Sequence, residues 1–186
     1  VARFGVGYDT VDVEACTQND IAVCITPDGV RRPVAVSILT LMLALTGKLL
    51  VKDRLTRLGP DGFAARNEHM GLGLVGRTLG SVGIGNIGAE MFRLAAPFGM
   101  KFIAHDPFAD LSLASELGVD LVDLDTVFAQ SDVISINCPL TPDTHHLVNT
   151  SRLSQMKPTA YLINTARGSI VDQVALTLAL RNGSIA

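Results

Sequence analysis

Tryptophan is absent from this chain and tyrosine occurs only twice, so aromatic side chains make up 5% of it. A stacking platform for nucleic-acid bases has little to be built from. Basic charge is equally thin. Fifteen Lys and Arg face 18 Asp and Glu, giving a formal net charge of −3, and the cations are scattered, so the electrostatic footprint of a nucleic-acid binder is missing. Cysteine is scarce as well. Cys16, Cys24 and Cys138 are odd in number and form no CxxC, which argues against a disulfide framework and fits a reduced, cytoplasmic setting. The four histidines include the adjacent pair His145–His146, but no Cys or carboxylate stands at ligand spacing, so no metal site is expected. The longest apolar segment, Pro33 to Gly47, is bracketed by Arg31, Arg32 and Lys48. It falls short of the about 20 residues that cross a bilayer, so no membrane partner is expected.

Apolar residues, by contrast, make up 48% of the 186 residues, enough to fold around a core of ordinary domain size. The most informative segment is Leu79-Gly80-Ser81-Val82-Gly83-Ile84-Gly85-Asn86-Ile87-Gly88. It is a strand-like run that breaks into Gly-x-Gly-x-x-Gly. Gly83 permits a tight turn, Gly85 lets a pyrophosphate approach the backbone, and Gly88 lets the next helix pack closely on the sheet. The N–H groups and partial positive charge at that helix start suit an anion without a basic side chain. Positions Ile87, Met91, Leu94, Ala95 and Phe98 have helical spacing over 87–98, and Lys101 to Ala104 reads as the next strand. Asp106 follows at the separation where a carboxylate meets ribose hydroxyls. A plain turn residue ahead of Pro107 is the other reading of Asp106.

Along the rest of the chain, strand and helix alternate. The pattern predicts a strand at 2–6, a helix from about 11 to 18 capped by Asp9 or Thr10, and a strand at 21–25. A turn follows at Thr26-Pro27-Asp28-Gly29. A helix at 34–51 is apolar nearly all round, which calls for cover on more than one side and points to a subunit interface. Residues 56–73 read as a long loop, with Gly59-Pro60-Asp61-Gly62 as a turn. Beyond the glycine motif the expected elements are strand 101–105, helix 111–117, strand 119–122, helix 123–129, strand 132–136, strand 160–164 and helix 172–181. Strands as apolar as Val133-Ile134-Ser135-Ile136 belong in a parallel sheet covered on both faces. The fold class is α/β, a doubly wound parallel sheet of Rossmann type. The chain opens on Val1 inside a strand and stops at Ala186, so it reads as cut at both ends.

Three further segments accompany the glycine motif: Arg3-Phe4-Gly5-Val6-Gly7-Tyr8-Asp9, Asn137-Cys138-Pro139-Leu140-Thr141-Pro142-Asp143-Thr144, and Met156-Lys157-Pro158 running on to Asn164-Thr165-Ala166-Arg167-Gly168. In this order they resemble the D-isomer-specific 2-hydroxyacid dehydrogenases, the family of D-3-phosphoglycerate dehydrogenase. The resemblance implies an NAD-binding domain at 27–186, incomplete at its C-terminal end, and a remnant of a substrate-binding domain at 1–26. It further implies a homodimer through the helix at 34–51, and hydride transfer between a D-2-hydroxy acid and its 2-oxo acid. Relatives commonly carry Val-Ala-Glu where this chain has Val34-Ala35-Val36. No segment here matches the family's acidic residue or its catalytic His, so these 186 residues are expected to bind cofactor without appreciable turnover. Some corepressors look like the same family, which keeps an NAD-responsive binding protein as the alternative.

The chemistry divides among named residues. Gly83, Gly85, Asn86, Ile87 and Gly88 are the candidate pyrophosphate site, and Asp106 the candidate ribose acceptor, whose charge favours NAD over NADP. By resemblance Cys138, Pro139, Thr144, Thr165 and Ala166 border the cofactor; Cys138 also reads as a small packing residue. Arg167 is the candidate grip on the substrate carboxylate, because a guanidinium offers two parallel hydrogen bonds where Lys offers a point charge. A surface Arg at a helix entrance is the alternative. Gly5, Val6 and Gly7 resemble the substrate-domain turn whose amides face the same carboxylate, and could equally be a plain turn. His69, His105, His145 and His146 are poor candidates for the proton-transfer group.

Overall fold

The computed structural model describes all 186 residues. Five strands form the main sheet: β3 (Thr78–Val82), β4 (Lys101–His105), β5 (Val119–Leu121), β6 (Val133–Ile136) and β7 (Tyr161–Asn164), in the spatial order β5-β4-β3-β6-β7 and parallel throughout. The chain winds outward from β3 to one side and then returns to its other side, which is the doubly wound arrangement expected. Its switch point lies between β3 and β6, and in open α/β sheets the ligand crevice forms outside the carboxyl ends at that point. The register puts His105, Val82, Ile136 and Asn164 level with one another. The loops that follow them therefore leave from one edge.

Helices cover both faces. On one lie α2 (Pro27–Thr46) and α5 (Asn86–Ala95), which close Ile38, Met42, Met91 and Phe92 against Leu79 and Val133. On the other, α7 (Leu124–Gln130), α8 (Thr150–Gln155) and α9 (Gln173–Arg181) close Phe128, Leu153 and Ala175 against Val82, Ile134 and Ile136. The short α6 (Leu111–Glu116) sits by β5 at one end. Such double cover is why the strand interiors are mostly apolar, with polar residues such as Thr78, Lys101, His105 and Asn164 at the strand ends and Ser81 and Ser135 as buried exceptions. The first segment is separate: β1 (Ala2–Arg3) pairs in parallel with β2 (Cys24–Ile25), joined by α1 (Val13–Gln18).

Several expected boundaries are corrected. The long helix begins at Pro27, not 34, and ends at Thr46; Gly47 and a left-handed Lys48 (φ 53°) separate it from α3 (Leu49–Arg57). Pro at the first helical position with Asp in the first turn is helix-start chemistry as much as turn chemistry, and Thr26-Pro27-Asp28-Gly29 is the former. At 20 residues α2 is long and apolar enough to cross a bilayer by length and composition, so the argument from shortness fails. Ala35, Ile38, Leu39 and Met42 of it are buried within this chain. The loop expected at 56–73 holds the end of α3, then α4 (Pro60–Ala64) and a 3₁₀ turn (Ala65–His69), again started by Pro and Asp. Helix α1 is capped by Asp12, whose side chain accepts from the Ala15 amide at 2.8 Å, and not by Asp9 or Thr10. The strands expected at 2–6 and 21–25 shrink to two residues each, and α8 was not expected at all.

Candidate functional site

The glycine turn leaves β3 as the motif requires. Gly83 has φ +97°, and a Cβ there would meet the Asn137 backbone at 2.9 Å, so both conformation and closeness demand glycine. A Cβ at Gly88 would lie 2.6 Å from the Gly83 carbonyl oxygen, which is the tight seat of α5 on the turn. Gly85 differs: its φ is ordinary and nothing lies within 4 Å of an added Cβ. The space it keeps clear is outside the protein's own packing. Five helices follow strands of the main sheet, and four are capped by a side chain: Asp110, Asp123, Asn149 and Asp172 accept from the first-turn amides of α6, α7, α8 and α9. Helix α5, starting at Gly85, has no such cap. Its first-turn donors at Asn86, Ile87 and Gly88 lie where Gly85 keeps space open, and an anion there would satisfy them.

Asp106 stands at the end of β4 with its carboxylate folded onto this turn. Oδ2 accepts from the Ile84 amide at 2.9 Å and Oδ1 from the Phe108 amide at 2.9 Å. Both the turn role and proximity to the glycine motif are thus present in one geometry, and each oxygen retains a lone pair for a hydroxyl. Behind the turn a buried polar chain fixes the switch point. Ser81 Oγ donates to the Gly83 carbonyl at 2.5 Å, and Asn137 Nδ2 donates to Ser81 Oγ at 2.9 Å and to Ser135 Oγ at 3.2 Å. Cys138 follows, half-buried beside the second core; burial pushes its thiol pKa up, and the Asp106 charge adds to that. Pro139 and Thr144 close the next loop, with Thr144 Oγ1 donating to the Pro139 carbonyl at 2.6 Å.

On the other side of the crevice, Asn164 shapes the loop after β7. Its Oδ1 accepts from the Ala166 amide at 3.0 Å and its Nδ2 donates to the Arg167 carbonyl at 2.8 Å. Thr165, Ala166 and Arg167 therefore leave the same edge as Gly83 and Asp106. Arg167 reaches the first segment, where Nε donates to Asp9 Oδ2 at 2.6 Å and the guanidinium lies against Gly7. In the 5–7 turn, the Gly5 amide donates to Thr26 Oγ1 at 2.8 Å and is spoken for. The Val6 and Gly7 amides have no intrachain acceptor. Asp9, Thr26 and Asn164 support the site and were not among the sequence candidates, although Asp9 and Asn164 stand inside the segments that carry the resemblance; Asn137 opens the segment that the resemblance places beside the cofactor.

The family described as D-isomer specific 2-hydroxyacid dehydrogenase, NAD binding domain, matches residues 39–186. The chain is 40% identical over 187 residues to the glyoxylate reductase of Korarchaeum cryptofilum, covering all of this chain and 56% of that protein. It is 37% identical to the D-3-phosphoglycerate dehydrogenase of Synechocystis, covering all of this chain and 33% of that one. Among solved structures, D-lactate dehydrogenase from Aquifex aeolicus, complexed with NAD and lactic acid, superposes with a TM-score of 0.87 at 34% identity, over 99% of this chain and 55% of that one. The chain thus spans about half, or less, of the length of such relatives.

Proposed function

Because the chain belongs to the D-isomer-specific 2-hydroxyacid dehydrogenases, we propose that its crevice holds NAD against a small D-2-hydroxy or 2-oxo acid whose carboxylate Arg167 grips. The observation that carries this is the uncapped start of α5 beside Gly85, on the same sheet edge as Asp106 and Arg167. The amides of Asn86, Ile87 and Gly88 would take the pyrophosphate, and Asp106 the adenine-ribose hydroxyls. When bound, the nicotinamide supplies the hydride acceptor or donor for C2 of the acid. Arg167 would fix C2 through its carboxylate, with the free Val6 and Gly7 amides on the facing turn. Residues 1–26 would then be the edge of a substrate lobe and 27–186 the nucleotide lobe.

The same reading covers partners. Val36, Leu41, Leu43, Leu45, Leu49 and Leu50 are exposed on α2 and at the start of α3, apolar surface of the kind that marks an interface. We assign it to a second copy of the chain, in the reduced cytoplasm that three free cysteines suit, with neither nucleic acid nor membrane as partner. Titration of the protein with NADH and NADPH, followed by nicotinamide fluorescence, tests the nucleotide site. Preference for NADH is expected, and equal affinity would count against Asp106 as the ribose acceptor.

A further inference from the structure

We propose that Asp9 is a positioning residue for Arg167, holding the guanidinium by its Nε edge so that the Nη end is presented to the substrate carboxylate. The proposal rests on the carboxylate grip assigned to Arg167 above. The pair joins residues 158 positions apart, one in each half of the crevice.

Three contacts define the pose. Arg167 Nε donates to Asp9 Oδ2 at 2.6 Å, and Nη1 donates to the Ala166 carbonyl at 2.8 Å. The third contact is steric: a Cβ on Gly7 would fall 1.3 Å from Nη2 and 2.6 Å from Cζ, so glycine at position 7 admits the guanidinium where any side chain would displace it. Gly7 is itself held, since its carbonyl accepts from Arg3 Nε at 2.6 Å. Asp9 occupies only the Nε edge. The donors of Nη2 and the second donor of Nη1 have no acceptor within the chain, and an incoming carboxylate can take two parallel bonds there.

Stability does not explain the pair. Both side chains are substantially exposed, Arg167 at 35% and Asp9 at 48%, and an exposed ion pair contributes little to folding. Orientation is what it supplies, because a long side chain loses much rotamer freedom on being fixed, and Asp9 fixes it before the acid arrives. The Arg167 hydrogen bond also holds the Asp9 carboxyl below its usual value, so the anchor stays charged at neutral pH. With Arg3 adding its charge nearby, Asp9 leaves a net single positive charge, matched to one carboxylate.

The test loads the chain with NADH and titrates oxamate, a 2-oxo carboxylate isostere that accepts no hydride. Binding is followed by ¹⁵N NMR at the Arg167 Nε–H and the Val6 and Gly7 amides. Asp9→Asn is expected to weaken oxamate binding about tenfold, as for loss of a charged hydrogen bond, and to move the Arg167 Nε–H resonance, with NADH affinity unchanged. Asp9→Glu, which restores the carboxylate, is expected to recover most of the loss. If Arg167→Lys abolishes oxamate binding while Asp9→Asn binds as the parent does, the proposal falls and the grip by Arg167 stands. If Arg167→Lys binds oxamate as the parent does, or the parent takes up none, the grip falls and the proposal with it. Weakened NADH binding in both Asp9 variants would make the pair a general structural tie and overturn the positioning role.

Discussion

This molecule has two glycine turns among its candidate site residues, and they are held in opposite ways. Gly83-Ile84-Gly85 is clamped by buried structure: Ser81 and Asn137 behind it, the Asn137 backbone against Gly83, and Gly88 seated beneath. Gly5-Val6-Gly7 has no core at all, since no residue of the first 26 is buried. Thr26, Arg3 and Arg167 hold it through hydrogen bonds and close contact at its surface. The difference teaches that the nucleotide half is built to be rigid, while the first segment is held in place by a few polar links that can yield. Hydrogen-bonded segments without buried apolar contacts lie at the low-stability end of a protein's local openings.

The largest effect should come from placing the same change in both turns. Gly83→Ala forces a Cβ onto φ +97° and into the Asn137 backbone, and is expected to cost roughly 2–3 kcal/mol. Gly5→Ala meets the strained φ of +115° but open space, and should leave the global urea transition nearly unmoved while loosening residues 1–26. Equal shifts in the two melts would break the comparison.

Next is Asp106→Ala. It removes a carboxylate that ties the turn through the Ile84 amide and would take the ribose hydroxyls. Weakening of NADH by about tenfold or more is expected, at roughly 1.5–3 kcal/mol per charged hydrogen bond, with a smaller loss for NADPH. Fluorescence titration reads both.

Leu41→Asp addresses the exposed apolar surface of α2. Leu41 is 45% exposed, so the variant should fold normally and sediment as a monomer where the parent sediments as a dimer. A parent that is monomeric at high concentration by light scattering would remove the interface.

The smallest effect concerns acid. Asp132, buried ahead of β6, accepts from the Thr78 amide at 2.8 Å and pairs with Lys157 at 3.2 Å and Arg77 at 3.4 Å. Burial raises its pKa, but these partners outweigh burial and the net shift is downward. A carboxyl whose pKa is lower folded than unfolded contributes stability that is complete above its ordinary value near 4 and is lost as pH falls through the depressed folded value. Asp132→Asn should therefore lower stability at neutral pH and flatten the acid limb of a Tm-against-pH curve. Because the site lies at the amino ends of the strands, NADH affinity should not change.

What was legible in the sequence follows from the range of the interaction. The glycine motif, its strand and Asp106 were readable because turn, helix start and carboxylate lie within one strand–helix–strand unit, where each residue's role is set by near neighbours. The start of α2 was misplaced because Pro27 and Asp28 punctuate a turn and a helix alike. Helix α8 escaped notice because Leu153 is the one apolar residue among its six, so it shows no apolar spacing, and its one signal is the Asn149 cap. The pairing of Asp9 with Arg167 was invisible for another reason. Only the fold brings residues that far apart in sequence together, and nothing in the composition of either segment marks the other.

Burial of Cys138 has a consequence for reagents rather than ligands. A thiol whose ionisation is suppressed by its surroundings and by a neighbouring carboxylate is a poor nucleophile. Iodoacetamide and peroxide should thus spare the crevice and meet the chain first at exposed Cys24, on the first segment, which makes that position the natural handle for a fluorophore or spin label that reports on that segment without poisoning the site.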